Sequence, residues 1–389
     1  MKGLVLSAEW APKKDYELSE YEKRTGKALT GSSIWRNPQL EIKEIARPEI
    51  KADEVLIKIK ACGVCGSDMH MYEPDEEGYI LYPAYCKFPT IIGHEFSGVI
   101  EKVGSEVKDF KVGDMVTAEE MNWCGKCFPC RRGYPNHCKN LEETGFTING
   151  AFAEYLATKD KYCWKIDELV EVYGSEDKAF EAASLVEPTS VAYNGIFAQA
   201  GGFNPGSYVC IHGAGPIGLA STALAKAAGA AKVIVFELIK SRMELAKKMG
   251  ADYVFNPDEL EEKGSSPSEE VLRVTNGDGA DLEVEAAGDP VRTFPEMVKS
   301  LAIKGKIVQI GRAAERLKMY LEPFLVGGRY FLGSIGHSGH GTFGYVIRLM
   351  ASGKIDMTKI ITSRFSLKNA VDGIVKLRSR EDGKITVKM

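Results

Sequence analysis

The feature that most constrains the fold is a short run near the middle of the chain. The apolar stretch Tyr208-Val209-Cys210-Ile211-His212 leads into Gly213-Ala214-Gly215-Pro216-Ile217-Gly218, and an Ala-rich helical stretch over 220–228 follows. This is G-x-G-x-x-G in the order strand, tight turn, helix. The first glycine permits the turn, the second lets backbone approach a pyrophosphate, and the third lets helix and strand pack closely; the helix N-terminus attracts the phosphate charge. A second apolar run, Lys232–Phe236, is closed by Glu237, nineteen residues after Gly218. A carboxylate at that distance binds both ribose hydroxyls and repels a 2′-phosphate, so the pattern predicts NAD rather than NADP. Arg242 follows five residues later, placed either to lean over the adenine or to serve as a surface helix charge. Gly213, Gly215, Pro216, Ile217, Gly218, Glu237 and Arg242 are therefore the candidate cofactor-binding residues.

The surroundings of this run extend the pattern. A helix is predicted from about 241 to 249, with strands at 251–255, 281–286 and 306–310. Strands alternating with helices predict βαβ units and a doubly wound parallel sheet. From residue 1 to about 180 the texture differs: short β-like runs such as 54–60 and 96–103 are broken by Gly and Pro, which predicts an antiparallel, barrel-like domain. A chain of 389 residues is too long for one ordinary core. We read residues 1–190 as one domain, 191–335 as the nucleotide domain, and 336–389 as a return to the first, with Lys384–Lys388 folding back onto it. Residues 257–267 and 333–344 read as loops.

Four of the nine cysteines, Cys124, Cys127, Cys130 and Cys138, fall within fifteen residues. Thiolates two residues apart in a Gly/Pro turn can converge on one tetrahedral ion, and four of them close its shell, so the set predicts a structural zinc rather than disulfides. His137 is a competing ligand that such a shell does not need. A catalytic zinc wants about three mixed ligands and one open position. Cys65, His94 and a carboxylate, Glu95 or Glu187, would supply them; each is bland alone, and the case rests on their joint occurrence. With 50 basic and 54 acidic residues the net charge is -4, so no global basic field favours nucleic acid, and a zinc-ribbon nucleic-acid binder is disfavoured. The chain has no apolar run of 18 residues and its start has no signal-peptide pattern; a cytoplasmic protein with no membrane partner is expected.

Taken together, these constellations resemble the zinc-containing medium-chain dehydrogenase/reductase family of alcohol, sorbitol and threonine dehydrogenases. The likeness includes Gly113-Asp114-Met115-Val116, the four-Cys lobe, Glu187-Pro188, and Gly279-Ala280-Asp281 leading to Glu285-Ala286-Ala287-Gly288. It implies an α/β protein: a chaperonin-10-like β-barrel catalytic domain, completed by the C-terminus, plus a Rossmann domain, with the active site in the cleft between them. It also implies two zinc ions per chain, one catalytic and one structural, NAD as cofactor, and a homo-oligomer, dimer or tetramer. Carried over, Cys65 and His94 are catalytic-zinc ligands, and Glu95 and Glu187 match the two carboxylates of sorbitol-dehydrogenase-like members. Alcohol-dehydrogenase-like members carry Cys at the later ligand position; its lack here points to the polyol branch. Ser67 matches the hydroxyl that touches the substrate oxygen, and His70 the histidine that relays the proton to solvent. Stretches 75–83, 184–194 and 336–343 look more narrowly like members that oxidise cyclitols, and Tyr79, His337 and His340 in or beside them are candidate substrate contacts. The implied reaction is oxidation of a secondary alcohol of a polyol or cyclitol to a ketone, with sorbitol, threonine or butanediol as alternatives. A zinc-free reductase of the same superfamily, or a non-catalytic NAD-sensing relative, is disfavoured by the intact ligand and relay positions.

Overall fold

A computed structural model describes residues 1–313 and 316–389. They divide into two compact units: Met1–Glu187 with Ser363–Ser379 and Ile385–Met389, and Pro188–Thr362 with Arg380–Lys384. The sequence reading sets its boundaries at 190/191 and 335/336; the units change over at Glu187/Pro188 and Thr362/Ser363.

The spine of the first unit is the strand Glu54–Val64, in which Ile57, Ile59 and Ala61 are buried while Lys58 and Lys60 face solvent, the period-two pattern of a half-buried strand. It pairs antiparallel with Glu95–Val103, Tyr155–Lys159 and Lys384–Lys388. Met115–Ala118 extends the sheet beyond Glu95–Val103, and Cys163–Lys165 extends it further. The predicted return of the C-terminal run is therefore a ladder, with Ile385 opposite Val64 and Lys388 opposite Ala61. A second, three-stranded sheet sets Lys2–Trp10 between Trp35–Glu44 and Thr90–Ile91. Phe96, Phe152, Leu4, Leu6, Ile57 and Ile59 are fully buried in this unit, each contributing about 1.5–3 kcal/mol by leaving water.

The segment between Trp10 and Trp35 is tied down by its own chemistry. Glu22 is 1% exposed and accepts hydrogen bonds from the Ser19 and Leu29 amides and the Tyr16 hydroxyl, all at 2.9 Å. Ala28 and Cys86 exchange backbone hydrogen bonds at 2.9 and 3.0 Å, which fixes the segment against residues 73–88.

The second unit holds a six-stranded parallel sheet in the order Tyr253–Phe255, Lys232–Phe236, Tyr208–His212, Ala280–Glu285, Leu301–Gln309, Tyr330–Gly333. This is the 3-2-1-4-5-6 order of a doubly wound dinucleotide fold. Its central strands are buried on both faces, which is why they read as continuous apolar runs. The Ala-rich helix spans Pro216–Ala227, beginning four residues before the predicted 220, because Pro216 at its first position has no N–H to leave unsatisfied. The predicted loop at 257–267 needs correcting: Pro257–Glu262 is a helix, capped by Asn256, whose side chain accepts from Asp258 N and Glu259 N. Ser/Glu-rich composition masked this Asn-Pro-Asp start signal. Among the described residues no helix is long and apolar enough to cross a membrane.

Candidate active site

Cys65 caps the helix Gly66–Tyr72 directly after the spine strand, and His94 directly precedes the neighbouring strand Glu95–Val103. The register sets Gly63 opposite Glu95, so an antiparallel pairing carries Cys65 and His94, twenty-nine residues apart, to the same sheet end. Gly93 lies at φ +92°, and a Cβ there would sit 2.6 Å from the Phe152 ring; only glycine fits the turn that presents His94. The donor atoms of Cys65, His94 and Glu95 all lie within 4.8 Å of one another. Glu187 is not in this group. Its carboxylate lies within 4.8 Å of that of Glu120, close enough to act on His94 electrostatically.

Burial works to discharge the His94 imidazole, but the Cys65 hydrogen bond and the negative charge of Asp68, Cys65 and Glu187 outweigh it and hold the ring's pKa well above its ordinary value. The Glu120 pKa is raised too, well above the carboxylate range, by burial and the Glu187 charge, which for a carboxyl favours the neutral form. A buried pocket that favours positive charge and frustrates a second carboxylate is chemically suited to a cation. A thiol, an imidazole and a carboxylate within reach of one point are the mixed donor set of an open zinc site.

Two neighbours were not anticipated from the sequence. Asp68 accepts the Cys65 amide at 2.8 Å and stands 3.8 Å from His94 Nδ1, so it braces both donors in the manner of an outer-shell carboxylate. Its signal was present as an acidic residue three positions after a helix cap. Phe146 packs its ring 4.7 Å from that of His94 and 5.4 Å from Tyr82, a contact no sequence pattern announces. Ser67 Oγ is buried without a hydrogen-bond partner. His70 is half-buried on the same helix, three residues on and so on the same face.

The four-Cys lobe is built as a knuckle. Cys127 caps the short helix Phe128–Arg131, and Sγ of Cys127 lies 3.4 Å from that of Cys130 and 3.8 Å from that of Cys138. Ligands on a tetrahedral ion with about 2.3 Å metal–sulfur bonds sit about 3.8 Å apart, so the four sulfurs, all within 4.8 Å, fit one ion with no position left over. Amide groups already point at them: Cys127 N donates to Cys124 Sγ at 3.4 Å and Cys124 N to Cys138 Sγ at 3.3 Å. The amides of Lys126 and Cys127 pull the Cys124 thiol down to about 6, toward the ligating thiolate. His137 is exposed and outside the group. All nine cysteines are free of disulfides.

In the second unit a cleft of about 460 Å³ is lined by Gly213, Gly215, Glu237 and Arg242, with Arg292 and Arg380 among its other walls. Gly213 takes φ +93°, and a Cβ on Gly218 would fall 1.8 Å from Gly213 O, so the turn closes only with glycine at both positions. Pro216 and Ile217 open the helix behind it. Glu237 Oε2 accepts Ala214 N at 2.7 Å, while Oε1 accepts Leu238 N at 2.7 Å and Ile239 N at 2.9 Å. The carboxylate thus fastens the glycine turn to the end of the second strand. Arg242 Nε donates to Asp382 O at 3.1 Å. Glu285, which sequence reading saw only as part of a family string, holds the facing loop by accepting Gly288 N at 3.0 Å and Gln309 Nε2 at 2.7 Å.

The three candidate substrate contacts are differently placed. Tyr79 is 8% exposed with Lys13 Nζ 4.6 Å and the Arg36 guanidinium 5.6 Å from its ring centre, so it packs the N-terminal segment. His337 is buried against Phe343, ring centres 4.7 Å apart, and its carbonyl accepts from the Thr342 hydroxyl. His340 is exposed in a turn at φ +54°.

A GroES-like barrel unit with a closed four-thiol lobe and, in the same chain, a doubly wound dinucleotide unit define a class, and sequence comparison agrees. Residues 51–168 match the alcohol dehydrogenase GroES-like domain and residues 216–352 the zinc-binding dehydrogenase domain. The chain belongs to the zinc-binding alcohol dehydrogenase family and is an oxidoreductase of alcohol donors. It is 45% identical to the scyllo-inosose 3-dehydrogenase of Thermotoga maritima over 97% of both chains. It is 34% identical to the sorbitol dehydrogenase of Bacillus subtilis, over 86% of this chain and 90% of that one. The solved structure of a Thermotoga maritima protein described as an alcohol dehydrogenase superposes with TM-score 0.95 at 44% identity, covering 100% of each chain. A Sinorhizobium meliloti protein described as a zinc-binding dehydrogenase, bound to NADP, gives TM-score 0.78 at 26% identity over 93% of this chain and 99% of that one.

Proposed function

We propose that this enzyme oxidises a secondary alcohol of a cyclitol to a ketone, with scyllo-inosose as substrate and a diketo-inositol as product, and NAD as acceptor. The observation that carries the chemistry is the grouping of Cys65, His94 and Glu95 within 4.8 Å; the near full-length likeness to a scyllo-inosose 3-dehydrogenase carries the substrate. We assign Cys65 and His94, with Glu95 or Glu187, to a catalytic zinc, and Cys124, Cys127, Cys130 and Cys138 to a structural one. When bound, the zinc supplies a Lewis acid for the substrate hydroxyl and the nicotinamide a hydride acceptor. The chain's own task is to orient and to move one proton. Ser67 Oγ, buried and unpartnered, accepts the hydroxyl proton and passes it towards His70, imidazole being the side chain best suited to a proton relay. Asp68 and Phe146 hold the His94 ring in place. Glu237, buried at the nucleotide end of the cleft, supports NAD over NADP, because a fixed carboxylate disfavours a 2′-phosphate. The nine free cysteines suit a cytoplasmic enzyme, and we expect a homo-oligomer, as the family resemblance implies.

The test is NADH formation, followed by absorbance, with zinc-loaded protein, NAD and a panel of scyllo-inosose, myo-inositol, sorbitol, threonine and 2,3-butanediol. Turnover confined to scyllo-inosose supports the whole reading. Turnover on sorbitol instead keeps the mechanism and supports the second reading, a linear-polyol dehydrogenase, which the 34% identity to a sorbitol dehydrogenase favours. No turnover on any of them rejects both.

A further inference from the structure

A third cluster of metal-ligating side chains lies inside the second unit. Cys210 and His212 are two residues apart on the strand Tyr208–His212, hence on one face of the sheet. The neighbouring strand sets Glu283 opposite Cys210. Cys210 Sγ lies 3.4 Å from His212 Nε2, and Nε2 lies 2.9 Å from Glu283 Oε2; the three donor atoms are within 4.8 Å of one another. Cys210 and Glu283 are 0% exposed and His212 3%. Burying a carboxylate and an imidazole costs several kcal/mol per ion, and an apolar set of the same volume would stabilise the sheet as well or better, so stability does not account for the cluster.

We propose that Cys210, His212 and Glu283 form a binding site for a divalent transition-metal ion of the zinc type, distinct from the four-Cys lobe and the Cys65 group. The donors are one thiolate, one imidazole and one carboxylate. This set selects zinc-like ions over magnesium or calcium, and its two negative charges neutralise a divalent ion in a dry interior. Donors on a tetrahedral zinc lie about 3.3–3.8 Å apart. The sulfur–nitrogen spacing already matches, and the nitrogen–oxygen pair has to open by a few tenths of an ångström. The supporting shell is present: Ser300 Oγ donates to Glu283 Oε1 at 2.7 Å, leaving Oε2 on the cluster. The Phe236 ring stacks 5.2 Å from that of His212 at 26°, which fixes the imidazole plane. Of the three residues, His212 lines the 460 Å³ cleft beside Gly213, so the cluster borders that cleft on its imidazole side. An ion so held would anchor the strand end from which the glycine turn springs.

The proposal does not depend on the enzymatic reading. Full-length wild type, Cys210→Ser and Glu283→Gln are saturated with zinc, freed of loosely bound ion by dialysis, and their metal counted by plasma emission. Wild type is expected to retain one zinc equivalent per chain more than either variant. That difference holds however many ions the other two sites carry; equal counts overturn the site. Should the variants not fold, cadmium-113 NMR of Cys65→Ser, which lacks the other mixed-donor site, decides the matter. One single-sulfur resonance beside the four-sulfur resonance supports the site, and its absence overturns it.

Discussion

Replacing Glu237 with Gln probes how the chain reads its nucleotide. The carboxylate accepts three backbone amides, from Ala214, Leu238 and Ile239. An amide keeps one oxygen and turns an NH2 group toward donors, so at least one charge-assisted bond, worth about 1.5–3 kcal/mol, is lost. The glycine turn loosens, and every dinucleotide binds less well. The ratio of NADH to NADPH affinity cancels that shared damage and isolates the carboxylate charge. A phosphate of charge about -1.5 to -2 lying about 5 Å from a carboxylate is repelled by about 1–3 kcal/mol at effective dielectric constants of about 40–80, the range of a solvated cleft. Arg242, Arg292 and Arg380 line the same cleft and offset this charge equally in both proteins. E237Q should therefore shift the affinity ratio toward NADPH by about 10–100-fold, while its melting temperature falls. Fluorescence titration of both nucleotides against both proteins measures the ratio. A ratio unchanged within about twofold, with NADH binding weakened, would refute the charge argument and leave Glu237 as a turn fastener alone.

Other expectations follow from the geometry. Cys127→Ser removes one of four thiolates from the lobe and should lose one tightly held zinc equivalent and lower the melting temperature, measured by metal counting and calorimetry; an unchanged zinc count would show that the lobe does not bind as a four-sulfur site. Phe146→Leu keeps the position apolar but removes the flat support of His94. It should cost less than about 1.5 kcal/mol of stability yet lower kcat/KM about tenfold, and a fall in stability with unchanged kcat/KM would deny the positioning role. Glu296 accepts from Ser268 N, Ser268 Oγ and Lys299 Nζ at 3.1, 2.7 and 2.6 Å. Burial would raise its pKa, but Lys299 and Ser268 outweigh that and hold it at about 2, against 4.5 unperturbed. A depressed carboxylate stabilises above its unfolded pKa and loses that contribution as pH falls. Full linkage would give about 3 kcal/mol, reduced to about 1–2 by solvent screening. Urea unfolding should find Glu296→Gln destabilised by that amount at pH 7, with the gap narrowing below pH 4.5; a gap constant down to pH 3.5 would contradict the linkage.

What the amino-acid sequence determined by itself is the chemistry whose parts are close in the chain. The glycine turn and its helix, the alternation of strands and helices after residue 200, and the four cysteines were legible because each rests on a run of a few residues whose spacing already meets a geometric demand. Glu237 was legible because one βα unit fixes its distance from the turn. What only the tertiary structure decided depends on strand register and packing between distant segments. Cys65 and His94 face one another because Gly63 pairs with Glu95, and Cys210 meets Glu283 because two parallel strands are neighbours. Asp68 gains its place at the site only because the fold brings His94 within 3.8 Å of it. Tyr79, a candidate substrate contact by sequence, packs against Lys13 and Arg36. Side-chain chemistry sets what such groups can do, but local spacing carries no information on which of them long-range pairing brings within 4 Å, and a shift of one residue in a strand's register would send each to the opposite face.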